Sequence, residues 1–399
     1  MPCPRQGVRV TTSAHDAMPY GDGADHTVAE ITQQPAVWRE VGAIVTDGRD
    51  RLDTFLEPLL AEKDLRIVLT GAGTSAFAGE VVRAATARAT GRRVDAVSTT
   101  DIVADPYASF PDDVPTLLVS FARSGDSPES VAATRLAEQV LTRVSHLVIT
   151  CNSAGRLART HGENAASHVL LMPAVANDQG FAMTSSFTSM LLASLLAFGA
   201  LDTDGIEAPA AAAEHITTGG LDQAIDTLLA RRPERLVYLG SSSALKGLAQ
   251  ESALKLLELT GGALVASSES SLGFRHGPKS VLNDRTAVVV YVSNDPYTRR
   301  YDLDIVTELR AGLPSGSVVA VTASPDGLPG DDTWLLPGLA GADDAALALS
   351  AVAIAQLIAL RSSMARGIRP DNPFPSGEVN RVVQGVTLHP LPERRNHVA

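Results

Sequence analysis

Apolar and polar positions along this chain fall into two alternating rhythms. Short apolar runs in "LRIVLTG", "RRVDAVS", "PTLLVSFARSGD" and "SHLVITCNS" end in glycine, serine or charge, and they predict strands buried on both faces. Between them the spacing turns helical. It predicts helices from Ser75 to Thr90 and from Pro128 to Val140, then a long apolar helix in "TSSFTSMLLASLLAFGAL". Ahead of the first strand, "HTVAEITQQPAVWREVGAIV" is helical but interrupted by Pro35, which predicts two short helices. Strand and helix in alternation mean an α/β chain with a parallel sheet covered on both faces.

The pattern then comes round again. "RLVYLGSSSALKGLA", "AVVVYVSNDP", "SVVAVTAS" and an apolar helix at 345–360 echo the earlier elements about 170 residues downstream. A near-constant offset over four elements predicts a duplicated domain, joined near "TDGIEAPAAAAEHITTGG". The expected layout is a disordered tail over 1–25, helices over 26–60, a first lobe over 61–215, and a second lobe with a C-terminal tail over 216–399. The apolar stretches "MLLASLLAFGAL" and "AALALSAVAIAQLIAL" fall short of the roughly 20 residues that span a bilayer, so they are expected to be buried helices.

Composition narrows the possibilities. Among the 399 residues, aromatics are 4% and the net charge is −12, which disfavours stacking or electrostatic binding of nucleic acid. Cys3 and Cys151 are too few and too far apart for a disulfide framework, and the N-terminal stretch lacks an apolar signal core, so a cytoplasmic protein is expected.

Two turns carry candidate chemistry. "RIVLTGAGTSAFAGE" runs strand, glycine turn, helix start, the arrangement that cradles phosphate. Gly71, Gly73 and Ala76 fit a dinucleotide fingerprint, with Asp95 placed as the ribose-binding acid. However, Thr74 and Ser75 add hydroxyls at the helix start. The next turn, "SFARSGDSPES", adds Ser120, Arg123, Ser124 and Ser127. Neighbouring strand tips converge on one crevice, so these residues suit a single monophosphate. The plain alternative is that the hydroxyls only cap helices.

In "LAQESALKLLELTGG", Glu251, Lys255 and Glu258 lie at helical spacing. They are either a solvated ion-pair stripe or a partly desolvated general base, Glu258, tuned by Lys255. His276 stands in the glycine-rich "GFRHGPKS". Thr184, Ser185 and Ser186 either line a sugar pocket or cap a helix.

"TGAGTSAFAG", "SFARSGDSPES", "ESALKLLELTGG" and "SLGFRHGPKS" together resemble the sugar isomerase (SIS) domain proteins, and "EITQQPAVW" and "PSGEVNRVVQGVTLHP" resemble the AgaS branch of that family. The resemblance spans nearly the whole chain. It implies two tandem flavodoxin-like SIS domains, each a five-stranded parallel sheet, with a phosphosugar at the strand tips. The implied activity is that of a galactosamine-6-phosphate deaminase/isomerase or a tagatose-6-phosphate ketose/aldose isomerase. Such an enzyme needs no cofactor or metal, and the implied assembly is a homodimer or higher homo-oligomer. Glu258 and Lys255 match the base and nearby lysine of the related glucosamine-6-phosphate synthase isomerase domain, and His276 matches a histidine that assists ring opening and can come from a neighbouring subunit. Gln384 stands where that synthase has a catalytic lysine, so no imine-forming lysine is expected. The competing expectations are a non-catalytic phosphosugar sensor and a dinucleotide oxidoreductase.

Overall fold

The computed structural model describes residues 22–392 apart from 329 and 331. Most of the expected N-terminal tail, with Cys3, lies outside these residues, while Asp25 is already helical. Three helices come first: α1 (Asp25–Thr32), α2 (Gln34–Asp47) and α3 (Arg49–Leu60). Pro35 stands in the first turn of α2, where its missing N–H costs nothing, so it starts that helix.

The first lobe follows as β1 (Arg66–Thr70), α4 (Thr74–Thr90), β2 (Arg93–Ala96), α5 (Thr99–Ala104), α6 (Pro106–Ser109), β3 (Thr116–Ala122), α7 (Pro128–Val140), β4 (Val144–Thr150), α8 (Arg156–Gly162), β5 (Ser167–Leu171) and α9 (Ser185–Ala197). Helices α10 (Glu207–His215) and α11 (Asp222–Ala230) lead to the second. That lobe comprises β6 (Arg235–Gly240), α12 (Ser243–Leu259), β7 (Val265–Glu269), β8 (Thr286–Tyr291), α13 (Pro296–Gly312), β9 (Val318–Thr322), β10 (Thr333–Leu335) and α14 (Asp344–Met364).

Both sheets have five parallel strands in the same relative order, β2-β1-β3-β4-β5 and β7-β6-β8-β9-β10. The order is that of flavodoxin, with its switch point between the first and third strands of each lobe. Edge strands β5, β7 and β10 escaped the hydrophobic pattern because much of each is solvent-exposed and needs no apolar run.

Alternation along each strand divides the molecule into layers. Leu69, Val119 and Ile149 of the first sheet and Tyr238, Val289 and Val321 of the second face one shared core, which holds α4, α9, α12 and α14. On the outer faces, α5 and α7 cover the first sheet and α13 the second. Helix α14 runs for 21 residues, longer than expected and long enough by length and composition to cross a membrane, yet 94% of its apolar window is buried in this core.

Candidate active site

The turn from β1 into α4 depends on Gly73, whose φ of +55° is a conformation that side-chain-bearing residues rarely adopt. No side chain caps α4, so the hydroxyls of Thr74 and Ser75 are not consumed there. The turn into α7 behaves alike: Ser127 precedes Pro128 without capping, and its hydroxyl donates to Ser130 Oγ at 2.6 Å. The capping alternative therefore fails at both turns. Ser75, Ser124, Ser127 and Ser130 line a cavity of about 110 Å³ between the strand tips. Ser130 went unnoticed in the sequence, although Ser127-x-x-Ser130 places two hydroxyls one helical turn apart.

Arg123 forms one wall of the cavity and is only 6% exposed. Its guanidinium donates to the carbonyls of Arg381 (2.8 Å) and Phe181 (3.5 Å). Among the described residues, no carboxylate lies within ion-pair distance of it. Burial pulls Arg123 below the usual arginine range, and the charge of Arg381 adds to that; Asp178 and Glu258 act the other way. A buried cation with no counter-ion, ringed by hydroxyls, is a cavity prepared for an anion.

Helix α12 brings the carboxylates. Ser242 caps it, accepting from Leu245 N at 3.2 Å, and its Ala, Leu, Lys and Glu content favours helix throughout. Gly247 lets it lie close on α4: a Cβ there would sit 2.9 Å from Val81 N. The Glu251–Lys255–Glu258 face is thereby pressed against the first lobe. Lys255 is fully buried and donates to Thr74 Oγ1 at 2.9 Å. It pairs with Glu258 and, at 3.4 Å, with Glu251. Burial alone would lower Lys255, but the two carboxylates outweigh it and raise the ammonium above its ordinary value, so it stays charged.

This is not a solvated stripe. Glu258, expected to be partly desolvated, has a side chain 25% exposed, whereas that of Glu251 is fully buried. Burial pushes Glu251 up to about 8, against the pull of Lys255 and with the charge of Glu258 adding to the rise. Glu251 was visible at i−4 from Lys255, but one sequence cannot say which carboxyl the tertiary fold covers.

Other expected residues sit elsewhere. Ser120 shares its side of β3 with Leu118, under the outer helices α5 and α7, and it pairs in register with Thr70. Its buried hydroxyl does not line the cavity. Thr184, Ser185 and Ser186 are fully buried around Asp178. That carboxylate accepts from Thr184 N at 2.7 Å, Ser185 Oγ at 2.7 Å and Ser186 N at 2.9 Å. These residues anchor the start of α9, and none of them lines the cavity between the strand tips. Asp95 is held by Arg66 (2.6 Å) and Arg93 (3.0 Å), which leaves the dinucleotide reading without its ribose ligand.

His276 is exposed in a loop clamped to the outer face of the second sheet. Phe274 packs beneath that loop, and Arg275 pairs with Glu308 of α13 at 2.8 Å. Glu258 belongs to the inner layer, and no hydrogen bond or ion pair joins the two residues. Gln384 is exposed on the C-terminal segment.

The SIS domain family model matches residues 59–200. An AgaS protein of Streptomyces coelicolor is 67% identical over 95% of this chain and 99% of its own length. The D-galactosamine-6-phosphate deaminase AgaS of Shewanella sp. strain ANA-3 is 44% identical over 92% and 93%. The chain belongs to the SIS-domain family, in its AgaS branch. The crystal structure of tagatose-6-phosphate ketose/aldose isomerase from Escherichia coli superposes with a TM-score of 0.85 at 41% identity, covering 93% of this chain and 98% of that one.

The two SIS lobes of this AgaS-branch chain are not chemically equivalent. At the tips of the second sheet, Asp302 reaches in from α13 and accepts from Ser241 Oγ (2.5 Å), Ser271 Oγ (2.6 Å) and Ser293 N (3.0 Å). Asp344 accepts from Ser293 Oγ (2.6 Å) and Asn294 N (2.9 Å). Internal carboxylates thus occupy the donors that the first lobe leaves open. Counted from the first residue of each helix, Lys255 and Glu258 of α12 correspond to Thr86 and Ala89 of α4. Among the described residues, only the first-lobe strand tips combine an open hydroxyl-lined cavity with the Glu258 carboxylate, tied to them through Lys255 and Thr74.

Proposed function

We propose that this chain is a sugar-phosphate isomerase/deaminase that takes a hexosamine 6-phosphate, galactosamine 6-phosphate first among them. The phosphate enters the cavity of Ser75, Arg123, Ser124 and Ser127. The observation that carries this reading is the Lys255–Thr74 hydrogen bond, which ties the Glu258 carboxylate to the first-lobe turn beside that cavity. The names of the AgaS relatives and of the E. coli isomerase support the same substrate class.

In this reading Glu258 takes the proton from C2 of the open-chain aldose and returns it at C1. Lys255, charged and buried, fixes the orientation of Glu258. With a 2-amino sugar the enolamine collapses to a ketose imine. Water adds to its C=N carbon, and ammonia leaves as the C–N bond breaks, which gives the ketose 6-phosphate. With a 2-hydroxy sugar the same proton transfer is plain isomerisation. His276 assists ring opening. Since it lies on the outer face of its own second sheet, it reaches a site from a neighbouring subunit, which makes the active form a homo-oligomer.

General acid–base catalysis of this kind contributes on the order of 10² to 10⁴ in rate. Glu258→Gln is expected to lower kcat for ammonia release from galactosamine 6-phosphate by about that factor while phosphosugar binding stays within a few-fold. Wild-type turnover in that variant would remove Glu258 from the mechanism.

A further inference from the structure

We infer that Arg381, carried on the C-terminal segment, is a second phosphate-binding cation of this site, and that the segment is held closed over the phosphate by it. The inference rests on the reading of the cavity as a phosphosugar site. After α14 the described residues, up to 392, hold no regular secondary structure, yet they are fastened across the first lobe. Asp371 accepts from Thr27 N (2.8 Å) and Thr27 Oγ1 (2.7 Å) at the start of α1. Phe374 packs on Phe181 with ring centroids 5.1 Å apart, and Tyr107 Oη donates to Pro392 O at 3.2 Å. Between these fastenings, Arg381, Val382 and Val383 line the same cavity as Ser75, Ser124 and Ser127.

The buried Arg123 and the exposed Arg381 therefore both line one small cavity. Arg123 donates to the carbonyl of Arg381, and the charge of Arg381 bears unfavourably on Arg123. Among the described residues, no carboxylate lies within ion-pair distance of either. Two adjacent cations without counter-ions repel, and they are compatible when an anion is shared between them. A phosphate monoester carries nearly two negative charges near neutral pH, enough for both. Arg123 is fixed in the first-lobe turn, whereas Arg381 arrives on a strap. Phosphate binding is then coupled to closure of that strap.

The test uses the full-length chain and inorganic phosphate as probe, followed by calorimetric titration and by thermolysin cleavage within residues 379–388. Arg381→Gln is expected to bind phosphate about tenfold or more weakly, the loss of a charge-assisted hydrogen bond pair. It is also expected to lose the protection from cleavage that phosphate gives the wild-type strap. Arg381→Lys keeps the charge without the planar fork and should recover part of both, which guards against a misfolded Gln variant. In turnover of galactosamine 6-phosphate, Arg381→Gln should raise KM with kcat little changed, since this contact is made equally before and during the reaction. A Gln variant with wild-type phosphate affinity and protection overturns the role of Arg381 alone. A wild-type chain that binds neither inorganic phosphate nor any hexosamine 6-phosphate overturns the reading of the cavity as well.

Discussion

Replacing Glu251 with glutamine isolates the proton that burial holds on this side chain. Its carboxyl is fully buried, and burial lifts it from 4.5 to about 8 despite Lys255. In the unfolded chain it ionises near its ordinary value. Between about pH 4.5 and 8 the folded protein consequently binds more protons than the unfolded one. The stability that Glu251 contributes is complete below that window and is lost as pH rises through it. At about 1.4 kcal/mol per pH unit, the loss across the window approaches 5 kcal/mol. Lys255, raised above its ordinary value and paired with Glu258, stays charged throughout.

Glutamine cannot ionise, so Glu251→Gln shows no such loss. Any fixed cost of seating an amide beside Lys255 is equal at both ends of the range. At about 2 cal/mol/K of unfolding entropy per residue, a chain of this length has an entropy on the order of 0.8 kcal/mol/K. The Tm of the variant relative to wild type should therefore climb by about 5 °C between pH 5 and 8.5, as followed by differential scanning fluorimetry. Two melting profiles that run parallel across this range, whatever their offset, would refute the claim that Glu251 is protonated in the folded protein.

Ser185→Ala removes a donor to Asp178 and should lower Tm by an amount equivalent to about 1–3 kcal/mol, with KM for galactosamine 6-phosphate unchanged; a raised KM at unchanged Tm would return Ser185 to the sugar pocket. His276→Asn and Glu258→Gln, each nearly inactive alone, should regain roughly a quarter of wild-type activity when the subunits are mixed into dimers, because half the assemblies are mixed and each holds one intact site. No recovery on mixing would place His276 and Glu258 in the same subunit.

Much of the site was legible because its signals are local. A glycine turn, Ser and Thr at a helix start, and an i, i+4, i+7 series of charges can all be read from neighbours in sequence. Ser75, Arg123, Ser124 and Ser127 meet at one cavity for that reason. Ser120 was misplaced because it still lies within β3, buried under α5 and α7, and not in the turn beyond the strand tip. The roles of Thr184 and Ser185 stayed open in the sequence because Asp178, the carboxylate they donate to, has no motif of its own. Arg381 was missed because its place depends on a segment that returns to the first lobe from more than 200 residues away, and nothing local marks such a return.

The sequence by itself determined the two rounds of strand and helix, the buried apolar helices and the polar turns at the strand tips. These follow from periodicity and from the conformations glycine, proline and serine favour, which act over a few residues. Only the tertiary structure decided which carboxyl of the α12 triplet is buried, which lobe keeps an open anion cavity, and on which face of its sheet His276 lies. Those outcomes depend on desolvation and on contacts between distant segments: the Gly247 crossing that presses α12 on α4, and Asp302 reaching the second-lobe tips from α13. Burial is a property of the packed whole, and the charge state of a buried group follows from it.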